Sequence, residues 1–349
     1  MKRNPFKLII LIILFLAVSC DEPETTVINF VHPDGSVTRK IEMRNSKKIF
    51  ETAGLQVPFD STWIVQDSLE INVKGDTTWI KRAEKLFKTA DEINQTYQSD
   101  SGANKDISRR VIFTKKFRWF TTIYRFSEMI DKDLIDGYPI ANFLNREELM
   151  IFYSPESIKA VHQSGPDSLK YRAVEDKISK MVDRWMSRSL ISECIGEFTN
   201  LIKGKAGNEI TKEMLKDKED EIVRLLETSQ NKFDSLWSNG ILLKEFIGEA
   251  NARKYKSEAD SAISVVNSKI YWNFKEYSIK ILMPGRLIGT NGFADNCNVL
   301  LWPVKSDFFL TENYEMWAES RMPNIWTWIV SGLFLVFVIT GAILKKKKG

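Results

Sequence analysis

The chain has little of the chemistry that most catalytic sites use. Histidine, the usual general base, occurs only twice in 349 residues, and cysteine only three times. His32 falls in a turn and His162 in a polar stretch after "ESIKAV", so both read as surface residues. No HExxH or CxxC spacing offers a metal site. "NLIKGKAGNE" lacks the GxxxxGK[ST] spacing that lets backbone amides cradle phosphates. No GxSxG elbow or SxxK nucleophile appears. Asp131/Asp133 and Glu147/Glu148 are acidic neighbours, whereas a glycosidase needs two carboxylates facing across a sugar. "KDKEDE" at 216–221 reads as a solvated helix face. No catalytic residue, metal ligand or cofactor is assigned.

A basic surface is missing too. The chain carries 50 Lys+Arg against 46 Asp+Glu, a formal +4. Seven of those cations sit at the two ends, and the rest of the chain is a formal −3, so no nucleic-acid partner is implied.

The two ends carry the clearest signals. Lys2, Arg3 and Lys7 precede an apolar run over 8–17, too short to span a bilayer and suited to the h-region of a signal peptide. The run ends in "LAVSC", which resembles a bacterial lipobox; Cys20 would then be acylated and become the new N-terminus. An uncleaved anchor with an incidental Cys is the alternative. At the other end, "IWTWIVSGLFLVFVITGAIL" (325–344) has no charge and is about 30 Å long at ~1.5 Å per residue. Trp326 and Trp328 lie at one end as interfacial aromatics. Lys345, Lys346, Lys347 and Lys348 lie at the other, which places the tail in the cytoplasm. A buried core helix is the competing reading. The expected location is the bacterial cytoplasmic membrane, with the main domain on its outer side. There Cys194 and Cys297 could pair, but their distance in sequence favours buried thiols.

Between the ends, "TVINFVHPDGSVTRKIEM" alternates on both sides of Pro33-Asp34-Gly35-Ser36, a hairpin signal. The alternation includes Asn29 and Arg39 among Val27, Val31, Val37, Ile41 and Met43. The stretches 61–73 and 77–81 read as strand-like or loop. Ala83, Leu86, Phe87, Ala90, Ile93 and Tyr97 recur at three and four, which predicts a helix near 81–97. "RRVIFTKKFRWFTTIYRFSEMI" has two apolar faces at period two, suiting a pair of central strands or one long bent strand. From 130 to 275 the pattern is helical, with Ser154 as an N-cap candidate, a long helix over 211–237 and Gly204 as a C-cap candidate. Period two returns in "YSIKIL", "NVLLWPV" and "FFLTENYEMWAES".

The expected fold is α+β: an antiparallel β-domain formed from N- and C-terminal segments with a helical insertion, plus one C-terminal transmembrane helix. Its parts are a signal peptide (1–19), an acylated Cys and tether (20–26), a first β part (27–129), the insertion (130–275), a second β part (276–323), the span (325–344) and a lysine tail (345–349). The β segments at both ends are read as one sheet; two separate domains are the alternative.

Aromatics are in surplus. Sheet core is the plain reading, and an apolar binding face at Phe117, Trp119, Phe120 and Tyr124 is the sharper one. Pro284-Gly285, Asn291-Gly292 and Trp302 fall in "MPGRLIGTNGFADNCNVLLWPV", where Asn-Gly offers a turn with positive φ and Leu300 to Trp302 an inward-facing strand. Together with the lipobox, Asp34-Gly35-Ser36, the span and the lysines, this segment resembles the LppM-type group of bacterial membrane-anchored lipoproteins, over about 100 residues. The resemblance implies a β-rich domain beside the membrane and transfers no catalytic residue. Three functions follow as expectations: a non-catalytic, double-anchored envelope lipoprotein binding a lipid, peptide or protein partner; an envelope hydrolase or transferase; or an envelope assembly factor. An aromatic-lined pocket would favour binding, and convergent carboxylates with Arg or Lys an enzyme.

Overall fold

The hairpin forms where the alternation places it. β1 (Glu24–Val31) pairs antiparallel with β2 (Val37–Asn45), in register from Glu24↔Arg44 to Val31↔Val37. Gly35 takes φ +97 at the turn, and Asp34 Oδ1 accepts hydrogen bonds from Ser36 N and Oγ at 2.9 and 2.7 Å. The computed structural model describes residues 24–48, 50, 57–58, 60–72, 75–100, 104–165, 167–228, 241–270, 274–294 and 299–348. The expected signal peptide, Cys20 and Cys297 lie outside these residues.

The expected helix near 81–97 is corrected. Its first half is strand β4 (Thr77–Phe87), lying between β2 and β3 (Ile64–Ile71). Helix α1 is only Ala90–Gln98, capped by the Thr89 hydroxyl. The three-and-four recurrence arises because Ala83 and Phe87 are core-facing strand residues four apart, while Leu86 between them lies on the other face and is 59% exposed. Two flanking strands satisfy the β4 backbone over its length, and tertiary pairing overrides the local pattern.

The β segments form two sheets rather than one. The first has seven strands in the order β3-β4-β2-β1-β7-β10-β9, with β7 (Tyr277–Leu282) parallel to β1 and the other pairs antiparallel. β9 is Phe293–Ala294 and β10 is Leu300–Val304. The second sheet has four strands, β5-β6-β11-β8, all antiparallel: β5 (Arg109–Arg118), β6 (Thr121–Ile130), β8 (Arg286–Thr290) and β11 (Tyr314–Pro323). Their inner faces share one core: Val27, Ile41, Met43, Ile279 and Trp302 from the first sheet meet Val111, Phe126, Met316 and Ala318 from the second, with Ile93 and Tyr97 of α1. Two apolar faces on the N- and C-terminal segments are buried more fully by packing sheet on sheet than by one sheet exposed on a side.

The insertion builds its own core. Helices α2 (Arg146–Phe152) and α3 (Glu156–Ser164) lead into α4 (Ser168–Ile202), the long spine. Ile191, Cys194, Ile195 and Phe198 of α4 pack with Ile222 and Val223 of α6 (Glu219–Thr228), Phe246 of α7 (Ile241–Lys254), and Ala259 and Ala262 of α8 (Lys256–Lys269). The expected long helix over 211–237 begins instead as short α5 (Lys212–Lys216), a break, and α6. Ser154 does not cap α3; its hydroxyl donates to Met150 O at 2.6 Å, and Pro155 holds the N-cap position. Gly204, at φ +79, follows the α4 C-cap as expected. Trp185 of α4 joins Leu134, Ile140 and Leu310 in a smaller core, with Trp185 Nε1 donating to Tyr138 O at 2.7 Å, and so ties insertion to sandwich.

After Pro323 the chain enters helix α9 (Ile325–Lys348). Its 22-residue stretch Ile325–Lys346 is about 33 Å long at ~1.5 Å per residue, and its most apolar window has mean hydropathy 2.3, enough to cross a membrane. Only 6% of its most apolar window is buried against the protein, which excludes the core-helix reading.

Candidate functional site

The segment 284–302 crosses between the sheets: β7 and β10 lie in the first, β8 in the second. Pro284-Gly285 makes the turn out of β7, with Pro284 O accepting from Ser320 Oγ at 2.7 Å. Gly285 has φ +77, and a Cβ there would stand 2.6 Å from Arg321 O. Asn291 acts as a rivet: its Oδ1 accepts from Trp302 Nε1 at 3.0 Å and from Trp317 N at 2.9 Å, and its Nδ2 donates to Glu315 O at 2.6 Å. The positive φ expected at Gly292 is absent from the backbone. Glycine is required there by close approach, since a Cβ would stand 2.4 Å from the Trp302 indole. Asp34 and Gly35 lie apart from this rivet, lining a separate polar groove with α1 and β5. Gly35 is packed against Phe113, whose ring edge would be 2.9 Å from an added Cβ.

Three of the four aromatics expected to form an apolar face do come together, at the tip of the β5–β6 hairpin. Phe117, Trp119 and Phe120 are about half exposed, and they clasp the start of α9. Phe117 stacks on Trp326 at 6.2 Å, Trp119 meets Trp326 edge-on at 5.7 Å, and Phe120 lies 4.4 Å from Trp328. Asn324 locks the junction: its Nδ2 donates to Arg118 O and Trp119 O at 2.7 and 3.2 Å, and Thr122 Oγ1 donates to its Oδ1 at 2.8 Å. Trp119 Nε1 also donates to Ser331 Oγ at 2.9 Å. Tyr124 is elsewhere, buried at 4% exposure against Phe113. The hairpin turn at 119–120 shifts the period-two phase, so Tyr124 and Phe126 join Val111 and Phe113 on the core face.

A cleft of about 440 Å³ opens where the insertion meets the sandwich. Its walls are aromatic and apolar: Tyr153, Phe293, Trp302 and Tyr314 with Leu149 and Met150. Asn291 and Asn313 add amides, and among the described residues Arg146 and Glu315 are its charges. Glu315 is held 3.2 Å from Arg125. Tyr153 and Tyr314 stack at 5.9 Å. Burial, with Glu312 adding to it, pushes the Tyr153 hydroxyl up to about 12, and burial lifts Tyr314 well above its ordinary value. Both phenols are therefore neutral at physiological pH. The volume falls in the ~300–1,000 Å³ range of ligand sites.

A second constellation sits inside the sandwich. Arg39 and Glu128, 1% and 0% exposed, pair at 2.5 Å. Arg39 Nε donates to Asn29 Oδ1 at 2.8 Å and Nη1 to Tyr97 OH at 2.5 Å, while Tyr97 OH donates to Glu128 Oε1 at 2.5 Å. Burial opposes the Arg39 charge, but Glu128 and Tyr97 more than offset it and raise its pKa. Burial drives Tyr97 well up and Tyr277 to about 12. The signal for this centre was in the sequence, as Asn29 and Arg39 occupy inward positions of an otherwise apolar alternation. It has no opening to solvent and fits a structural lock.

Asp133 is the carboxylate most displaced, raised to about 8 by burial alone. It lines neither cleft nor groove, and no charged partner accompanies the shift. His162 stacks on Tyr171 at 5.1 Å and His32 lies 2.9 Å from Thr38 Oγ1, both outside any cluster. Among the described residues no three His, Cys, Asp or Glu side chains are grouped to hold a metal.

No family model, curated protein or solved structure matches this chain. The reading of its function rests on its own geometry.

Proposed function

We infer that this chain is a non-catalytic binding protein of the bacterial cell envelope. It is anchored by α9, with an acylated Cys20 as a second anchor and the lysine tail on the cytoplasmic side. The observation that carries the reading is the cleft: four aromatic walls, two aliphatic side chains and, among the described residues, a single carboxylate already engaged by Arg125. Acid–base catalysis needs a positioned group of suitable pKa at the reacting atom, and the displaced Asp133 is not in the cleft. An apolar segment with a polar end would be held instead, its polar end at Asn313 or Arg146.

The height of the cleft favours a polypeptide over bilayer lipid. Tyr314 opens β11 and Pro323 ends it beside α9, so the two are nine extended steps, about 30 Å at ~3.3 Å each, apart. The mouth is thus well clear of the acyl region, where an apolar stretch of a neighbouring envelope protein can reach it.

Photo-crosslinking from Met150, which is 61% exposed at the rim, tests this. A benzophenone side chain there should yield a discrete crosslinked polypeptide in intact envelopes. The same probe at Leu169, 80% exposed on α4, should not. Phe293→Glu should abolish the product. Equal crosslinking from both positions, or product insensitive to Phe293→Glu, would refute the cleft as the binding site.

A further inference from the structure

The outer face of the four-stranded sheet changes character as it approaches α9. Strand pairing sets its residues in transverse rows. In one row Arg125 is opposite Glu319, and its charge is met by Glu315 at 3.2 Å and Glu319 at 4.0 Å while its guanidinium lies 4.3 Å over Trp317. The next row toward α9 runs Lys116, Ile123, Arg321, Arg286, all paired in register. The row beyond ends the sheet with Arg118, Thr121 and Pro323. Residues 114–123, 283–290 and 320–328 contain no Asp or Glu.

Lys116, Arg118, Arg286 and Arg321 are all exposed. None forms an ion pair within 4.0 Å with a described residue, in contrast to Arg125. Arg286 lies directly opposite Arg321 on the adjacent strand, where like charges are destabilising unless something stands between them. A phosphate is suited to that place, because guanidinium groups grip phosphate oxygens with paired N–H donors. Exposed apolar side chains flank the row: Leu287 and Ile288 on β8, and Phe117, Trp119 and Phe120 on the hairpin tip. Cations beside half-exposed aromatics, one strand end from an apolar helix, match the chemistry of a headgroup boundary.

We propose that this end of the sandwich binds anionic phospholipid headgroups of the leaflet facing the folded domain, with Arg286 and Arg321 sharing one phosphate and Lys116 and Arg118 beside it. This rests on α9 as the membrane anchor. Arg321 precedes Ile325 by a short extended stretch, about 13 Å at ~3.3 Å per residue, so its side chain reaches the headgroup layer. The sandwich is then oriented by the lipids as well as by its helix.

The test uses the full chain in nanodiscs of phosphatidylcholine and phosphatidylglycerol, with spin-labelled versions of each lipid. The motionally restricted fraction reports lipid at the protein boundary. Native chain should restrict phosphatidylglycerol at least threefold more than phosphatidylcholine, and raising salt from 0.1 to 0.5 M should lower the ratio. The triple variant K116Q/R286Q/R321Q should at least halve the ratio with unchanged circular dichroism. R286K/R321K, which keeps the charge, should retain most of it. The lysine tail is common to all three chains, so the difference isolates the row. An equal ratio in native and triple-variant chains, or one lost equally in the Lys variant, overturns the proposal while leaving the anchor intact. No restricted component for either lipid would overturn the anchor itself.

Discussion

Replacing Glu128 by Gln and Arg39 by Met breaks the same buried pair from opposite sides, and the two variants should fail differently. The two side chains are 0% and 1% exposed, and the guanidinium is satisfied by Asn29, Tyr97 and Glu128 together. In Glu128→Gln the guanidinium keeps its charge, because arginine does not deprotonate in proteins. An uncompensated buried charge costs about 3–5 kcal/mol, a large part of the ~5–15 kcal/mol that a domain has. In Arg39→Met the remaining carboxyl can take a proton and become neutral. Its folded pKa then rises above the unfolded value of about 4.3, so the folded state binds the extra proton in the window above that value. The unfolding free energy therefore falls as pH rises, by up to about 1.4 kcal/mol per pH unit within the window. Urea unfolding of the full chain in mild detergent, followed by circular dichroism from pH 4.5 to 8, separates the cases. Relative to the native chain, Arg39→Met should lose stability progressively toward high pH and Glu128→Gln by a constant amount. A Glu128→Gln loss under about 1 kcal/mol, or a pH-independent Arg39→Met loss, would refute the reading of this pair as a mutually dependent lock.

Three further outcomes are expected. Gly292→Ala drives a methyl to 2.4 Å from the Trp302 indole and should cost about 1–3 kcal/mol, read as a lowered urea midpoint together with a change in Trp fluorescence as the Asn291–Trp302 bond is disturbed. Asp133, held protonated by burial with its folded pKa at about 8, makes the folded state the better proton binder above the unfolded carboxyl pKa. Native stability should fall as pH climbs toward 8, and Asp133→Asn should flatten that slope in thermal melts. Asn324→Ala removes three hydrogen bonds from the hairpin tip to the start of α9. At about 1 kcal/mol each, amide exchange in the 117–122 tip should speed by tenfold or more while the β1–β2 hairpin is unchanged.

Much of this architecture was written in local pattern. The β1–β2 hairpin, the returning strands at 277–323 and the apolar helix follow from period and turn chemistry, which are properties of neighbouring residues. The partition of strands into two sheets was not legible, since it depends on β7 choosing β1 and β11 choosing β6 across more than a hundred intervening residues. β4 was misread because two core-facing strand residues four apart, Ala83 and Phe87, with an exposed Leu86 between them, have the same spacing as a helical stripe. The clasp was half legible: Phe117, Trp119 and Phe120 stood out as aromatics, but only the fold brings Trp326 and Trp328 to them. Gly292 was singled out for the wrong reason, as its constraint is a ring arriving from β10 rather than a turn angle. The cleft takes walls from α2, β9, β10 and β11, which no single stretch announces.

The junction at Asn324 bears on how the cleft is presented. Strand β11 and helix α9 are separated by that one residue, with Pro323 before it fixing φ and lacking a donor. Asn324 O accepts from Thr327 N and Oγ1 at 3.0 and 2.7 Å, starting the helix, while its side chain bonds back to the hairpin tip. A connection tied on both sides cannot swivel as a flexible linker would. Three hydrogen bonds at about 1 kcal/mol and three aromatic contacts at ~0.5–1.5 kcal/mol give several kcal/mol, many times RT. The sandwich is therefore held fixed relative to α9, with the cleft about 30 Å along β11 from the start of the helix. On the proposed reading, a partner held in the same membrane would meet it at one level and one face, which would restrict the search to rotation and lateral diffusion and raise its effective concentration there. Loosening the clasp through Asn324 should accordingly weaken crosslinking from Met150 without altering a single residue of the cleft.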